Sequence, residues 1–230
     1  MPQTDHRKKR PGKAPAEAGH RLRVVCLGDS LTEASDVDPG QAWHALAAAR
    51  LGAELVNCGI GGDTSAGLLS RFQADVVARR PHAVILLGGA NDLWWDLDIG
   101  PILANLFAMA CQARFHRIVP VIGLPPAIDG SRARSREMFQ PLAGWDACCR
   151  KLGDLVDALR AAARSCDIDC LDLHRLFLTP AGTVRSELYL GNGLHPNPEG
   201  HRLMAEAAAG LIAGLPLPSK KGSRGQGVKG

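Results

Sequence analysis

Five short apolar runs, at 22–27, 54–57, 83–87, 118–123 and 169–173, alternate along the chain with longer, Ala-rich stretches at 41–51, 64–79, 101–114, 145–165 and 198–213. The short runs are apolar throughout and not at every second residue, as strands covered on both faces are. The long stretches have the length and composition of helices. Five strands alternating with five helices predict an α/β, doubly wound fold on a parallel sheet. No internal repeat interrupts the alternation. Two connections exceed a simple turn: 124–144, with Pro125, Pro126 and Gly130, and 174–197, with Pro180, Gly182, Gly191 and Gly193. Structureless loops of that length in a compact domain are usually functional or disordered.

A chain of 230 residues with 46% apolar side chains suits one folded unit with a sizeable core, expected over 22–218. The net charge of +4 belongs to the ends: residues 1–21 hold six basic and two acidic side chains, and 219–230 hold four basic and none acidic. Both are expected to be disordered tails, with binding of an anionic surface through Arg7-Lys8-Lys9-Arg10 as the alternative. The body between them has 17 basic against 21 acidic residues, so nothing argues for a nucleic-acid groove. Seven cysteines, several inside apolar runs, read as reduced thiols, and Cys166 with Cys170 lacks the second pair that a zinc site needs. No metal or cofactor is expected. The N-terminal charges are not followed by an apolar segment, and no run reaches the length of a membrane span. A cytoplasmic, soluble protein is the expectation.

Chemistry is suggested where strands end. Gly28-Asp29-Ser30-Leu31-Thr32 follows the first strand and puts a hydroxyl at a strand's C-terminal edge, where α/β sheets bind ligands. Taken alone, Asp29, Ser30 or Thr32 reads equally as a helix cap. After the second strand, Asn57-Cys58-Gly59-Ile60-Gly61-Gly62-Asp63-Thr64 offers backbone N–H groups to an anion but lacks the ending of a nucleotide-binding loop. After the third, Gly88-Gly89-Ala90-Asn91-Asp92 presents an amide that also fits a turn. The last long loop carries His195 in Gly193-Leu194-His195-Pro196-Asn197, ahead of a helix opened by Pro198, where an imidazole is well placed as a general base.

Ser30, Gly62, Asn91 and His195, each in its loop and in that order, resemble the four blocks of the SGNH or GDSL family of hydrolases, over about 22–213. The resemblance implies a flavodoxin-like, five-stranded sheet ordered 2-1-3-4-5 and hydrolysis of an ester or thioester by a serine nucleophile without metal or organic cofactor. It implies Ser30 as nucleophile, His195 as base, and an oxyanion hole from the backbone N–H of Ser30 and Gly62 and the Asn91 amide.

One position departs from that pattern. Three residues before the histidine the family has an aspartate that accepts the other imidazole N–H, and this chain has Asn192. Its carbonyl can still accept but supplies no charge for the imidazolium. An active Ser30-His195 dyad and a weakened family member kept for binding both remain open. Asp29 and Asp92 are expected to support the loops, and Trp94 and Trp95 to wall the site against an acyl chain or a sugar face. Arg132, Arg134 and Arg136 fit either a solvated charge run or a grip on an anionic leaving group. The expected substrate is a small-molecule ester or thioester of the acyl esterase, lysophospholipase or thioesterase kind. A carbohydrate O-deacetylase comes next, and a nucleotide-binding module on the same sheet is the reading from another class.

Overall fold

The computed structural model describes residues 21–135 and 140–216. The strands are β1 (Arg23–Gly28), β2 (Glu54–Gly59), β3 (Ala83–Leu87), β4 (Val119–Leu124) and β5 (Asp169–Asp172), all parallel and ordered 2-1-3-4-5. The helices are α1 (Ser30–Glu33), α2 (Trp43–Leu51), α3 (Ser65–Asp75), α4 (Ala90–Trp94), α5 (Ile99–Phe115), α6 (Gly130–Arg134), α7 (Trp145–Ser165), α8 (Leu173–Leu176) and α9 (Pro198–Gly214). Apart from Arg21, the two basic ends lie outside the described residues, as does Arg136. No helix among the described residues is long and apolar enough to cross a membrane.

The sheet is buried on both sides because its three central strands β1, β3 and β4 are apolar at nearly every position. Val25, Leu27, Val84, Leu86 and Ile122 face one way, against Leu68, Phe72, Leu106, Leu155 and Leu159 of α3, α5 and α7. Val24, Cys26, Ile85, Leu87 and Val121 face the other, against Trp43, Met204, Ala208 and Ile212 of α2 and α9. The edge strands β2 and β5 are partly exposed, so burial throughout holds only for the middle of the sheet. Helix α7 buries Trp145, Cys148, Leu152, Leu155, Val156, Leu159 and Ala163, a stripe at helical spacing that matches its expected span. Helix α5 starts two residues earlier than expected, with Pro101 in its first turn, where a missing N–H costs nothing. The stretch 64–79 divides into α3 and a separate 3₁₀ turn at Val77–Arg79.

Register positions the site. Gly28 pairs with Gly59 on one side and Leu87 on the other, so β1, β2 and β3 end level and their following loops are neighbours. The loop after β5 must travel back across the sheet, and it is built rather than free: α8, the bridges Leu178 to Val184 and Tyr189 to Pro196, and the Leu190 N–H on the His195 carbonyl at 2.9 Å shape it. Asn197 then caps α9 by accepting from the Gly200 N–H at 3.0 Å, with Pro198 next in line.

Candidate active site

Ser30 is the first residue of α1, held at the strand's edge because the Asp29 side chain accepts from the Leu31 N–H at 2.9 Å and caps the turn. From the other end of the chain, His195 Nε2 comes within 3.0 Å of Ser30 Oγ, a hydrogen bond across 165 residues of sequence. The His195 loop is fixed through its own backbone: Asn192 Oδ1 accepts from the N–H groups of Leu194 and His195, both at 3.0 Å. Gly193 has φ +68, and a Cβ there would lie 2.5 Å from the Asp129 carbonyl, so only glycine lets the two long loops close on each other. The Asp129 N–H donates to the Gly193 carbonyl at 2.9 Å across that contact.

Asn192 stands at the expected side of the ring, turned the other way. Its Nδ2 lies 3.2 Å from His195 Nδ1, and its oxygen is taken by the two backbone donors, so the carbonyl expected to accept from the imidazole is occupied. A carboxylate reaches Nδ1 instead, that of Asp36 through Oδ2. Asp36 sits just beyond α1, after Ala34 takes a left-handed conformation and turns the chain back.

Gly62 and Asn91 line one cleft with Ser30 and His195. The Asn91 amide donates to the Asp63 carbonyl at 2.9 Å, which fixes its plane and leaves its second N–H without an acceptor among the described residues. Among the described residues no acceptor within the chain takes the N–H of Ser30 or of Gly62. Gly62 holds φ +77, a left-handed turn that glycine adopts freely. The expected loop residues behave differently from one another. Asp92 is buried and accepts from the Ser65 N–H at 2.8 Å and the Ser65 hydroxyl at 2.5 Å, so it ties α4 to α3 and does not wall the site. Asp29 is buried too, with Oδ2 unpartnered among the described residues. Burial pushes its carboxyl up to about 7, opposed by the Leu31 N–H and helped by the charges of Asp63 and Asp92.

Trp94 and Trp95 do border the site. Trp94 is braced edge-on against Trp145 with ring centres 5.1 Å apart, while Trp95 is 57% exposed. Two spaces meet at Ser30: an apolar recess of about 60 Å³ against Leu31, Ala90, Trp94, Pro126, Ile128 and Leu194, and an open cleft of about 430 Å³ that includes Glu33, Ser35 and Asp36. Of the arginines, Arg132 donates to the Tyr189 carbonyl at 3.3 Å and pairs with Asp129 at 3.5 Å, and Arg134 pairs with Asp146 at 2.8 Å. Neither lines either space.

Four residues that the motifs do not mark complete the arrangement. Arg71 of α3 donates to the carbonyls of Gly28 and Cys58 and to the carboxylates of Asp63 and Asp75, at 2.7–2.9 Å. His201 of α9 is buried, accepts from the Trp43 N–H at 3.3 Å, and is pushed down to about 4 by burial and by the neighbouring His44 and His195. Trp43 in turn donates its indole N–H to the Leu31 carbonyl at 3.0 Å, within the turn that carries Ser30. Asp36 is the fourth. Its only sequence signal is negative: with Asn at 192, a carboxylate near Ser30 has to come from elsewhere.

The sequence pattern of the GDSL-like Lipase/Acylhydrolase family matches residues 26–203. Esterase TesA of Pseudomonas aeruginosa is 36% identical over 96 residues, 40% of this chain and 48% of that one, so the match spans about half of the esterase's length. The uncharacterized lipoprotein YqeF of Bacillus subtilis is 26% identical over 212 residues, covering 80% of this chain and 86% of its own. In three dimensions a member of the lipolytic protein G-D-S-L family from Veillonella parvula superposes with a TM-score of 0.68 at 23% identity, over 84% of this chain and 100% of the other. At that identity the likeness speaks for the fold.

Proposed function

Given that the chain belongs to the GDSL-like lipase/acylhydrolase family, we propose that it hydrolyses carboxylic esters with Ser30 as the nucleophile. The observation that carries this reading is the 3.0 Å contact between Ser30 Oγ and His195 Nε2, at the mouth of a cleft shared with Gly62 and Asn91. As the Ser30 oxygen attacks the ester carbonyl, His195 Nε2 takes its proton. The carbonyl oxygen becomes an oxyanion, and the donors for it are the free N–H groups of Ser30, Gly62 and the Asn91 amide. The intermediate collapses, the C–O bond to the alcohol breaks, and the imidazolium returns its proton to the leaving alkoxide. A water then attacks the acyl-serine carbonyl, losing a proton to His195; the C–O bond to Ser30 breaks, the imidazolium returns that proton to Ser30 Oγ, and the acid leaves. Every proton needed moves between Ser30, His195, substrate and water.

The shape of the two spaces supports a substrate class. A recess of about 60 Å³ has room for a short acyl group and not a fatty chain. The cleft beside it carries the carboxylates of Glu33 and Asp36, and Arg132 is engaged elsewhere. An uncharged alcohol, sugars included, therefore suits this cleft better than a phosphate-bearing or coenzyme A leaving group.

Ser30→Ala tests the reading. It should abolish both turnover of a short activated ester and covalent labelling by a serine-reactive phosphonate, with unfolding unchanged. Undiminished labelling of a folded Ser30→Ala protein would remove Ser30 from the reaction.

A further inference from the structure

We propose that Asp36 orients His195 and steadies its charge, the task that the resemblance assigns to the residue three before the histidine; this rests on Ser30 and His195 acting as above. Two side chains meet the same ring nitrogen: Asp36 Oδ2 contacts His195 Nδ1, and Asn192 Nδ2 lies 3.2 Å from it. They demand opposite tautomers. An amide nitrogen only donates, so it calls for a bare Nδ1 and moves the ring proton to Nε2, where it blocks proton transfer from Ser30. A carboxylate only accepts, so it keeps the proton on Nδ1 and leaves Nε2 free to receive one. The charge-assisted bond is the stronger of the two, and the ring settles in the productive form.

Magnitude separates this role from a structural one. The Asp36 side chain is 45% exposed and that of His195 28% exposed, and a pair this open to water adds little to folding stability. Its effect falls on the moment when the imidazole becomes cationic beside a fixed carboxylate. The chain path permits this economically: α1 is a single turn, Ala34 closes it by donating its N–H to the Ser30 carbonyl at 3.0 Å, and the acid arrives six residues after the nucleophile. Acid and nucleophile thus share one short segment, and only the base comes from afar.

The test compares four proteins, Ser30→Ala, Asp36→Asn, Asp36→Asn with Asn192→Asp, and wild type, on one short activated ester. Asp36→Asn should lower kcat by about 10²–10⁴, the range spanned by losing one aligned catalytic group and by the serine-protease triad's Asp to Asn change. KM should stay within a few-fold, and the melting temperature within about 3 °C. Adding Asn192→Asp should restore at least about tenfold of that loss, because the new carboxylate oxygen replaces an amide nitrogen already beside Nδ1. Long-range proton–nitrogen correlations of labelled histidine should place the His195 proton on Nδ1 in wild type and on Nε2 in Asp36→Asn. Asp36→Asn with wild-type turnover, or with the proton still on Nδ1, overturns the proposal while an inactive Ser30→Ala leaves the nucleophile standing. An active Ser30→Ala overturns the reading on which both rest.

Discussion

Arg71 Nη2 donates to the Gly28 carbonyl at 2.9 Å, at the last residue of the strand that delivers Ser30. The same guanidinium reaches the end of β2 through the Cys58 carbonyl and the glycine-rich loop through Asp63. A single planar group therefore sets the separation between the loop that carries Ser30 and the loop that carries Gly62.

Arg71→Met should destabilise the fold by about 3 kcal/mol, since it strands the carboxylates of Asp63 and Asp75, whose side chains are 13% and 25% exposed. Arg71→Lys keeps the charge but cannot span four acceptors, so it should recover stability better than kcat. Urea unfolding and turnover read the two effects. Equal midpoints for wild type and Arg71→Met would dismiss the strut.

Asn91→Ala removes one donor aimed at the cleft and also frees the Asp63 carbonyl. A fall in kcat of about 10²–10³ is expected, the usual loss for one oxyanion donor. A change of less than about tenfold would make Asn91 a turn residue only.

Across neutral esters of one alcohol, turnover should be highest for acyl groups of about two to four carbons and drop steeply by about eight, because the recess, lined by Trp94 and Ile128, is small. A thioester of coenzyme A should be a poorer substrate than a neutral ester of the same acid. Better hydrolysis of dodecanoyl than acetyl esters contradicts the size argument.

Asp29, raised by burial from 3.8 to about 7, keeps its proton in the folded protein where the unfolded chain has lost it. Its contribution is complete below about pH 4 and is lost as pH rises through about 7. Asp29→Asn escapes this loss, so its stability relative to wild type should climb by up to about 1.4 kcal/mol per pH unit between those limits and then level off. Denaturant midpoints for both proteins at several pH values read the slope. Parallel profiles would show that Asp29 is ionised in the folded state.

The fold was legible because strand and helix patterns differ in period and length, and the central strands Val24 to Leu27 and Ala83 to Leu87 leave no ambiguity. The four turns α1, α4, α6 and α8 were not, since four or five residues cannot display a helical period. Ser30, Gly62, Asn91 and His195 stood out through their loops, and the structure brings them together at one cleft. Asp36 and Arg71 did not stand out. Each acts through a contact with a residue distant in the chain, His195 and Gly28 respectively, and an isolated acid or arginine carries no mark of such a partner. The arginines of the 124–144 connection were legible only as charge. Arg132 turns out to brace the Tyr189 carbonyl in the loop that bears His195.

Asn192 and Gly193 form the dipeptide most prone to spontaneous deamidation, in which the glycine nitrogen attacks the asparagine side-chain carbonyl to close a succinimide. In the folded protein both reacting groups are committed elsewhere: the Gly193 N–H donates to the Leu190 carbonyl at 3.1 Å, and Asn192 Oδ1 holds two backbone N–H groups. Ring closure needs those bonds broken together, so the loop that fixes His195 also protects its own chemistry against ageing. Protein stored folded should keep its asparagine, and protein held partly denatured should acquire a carboxylate or an isoaspartyl kink beside His195.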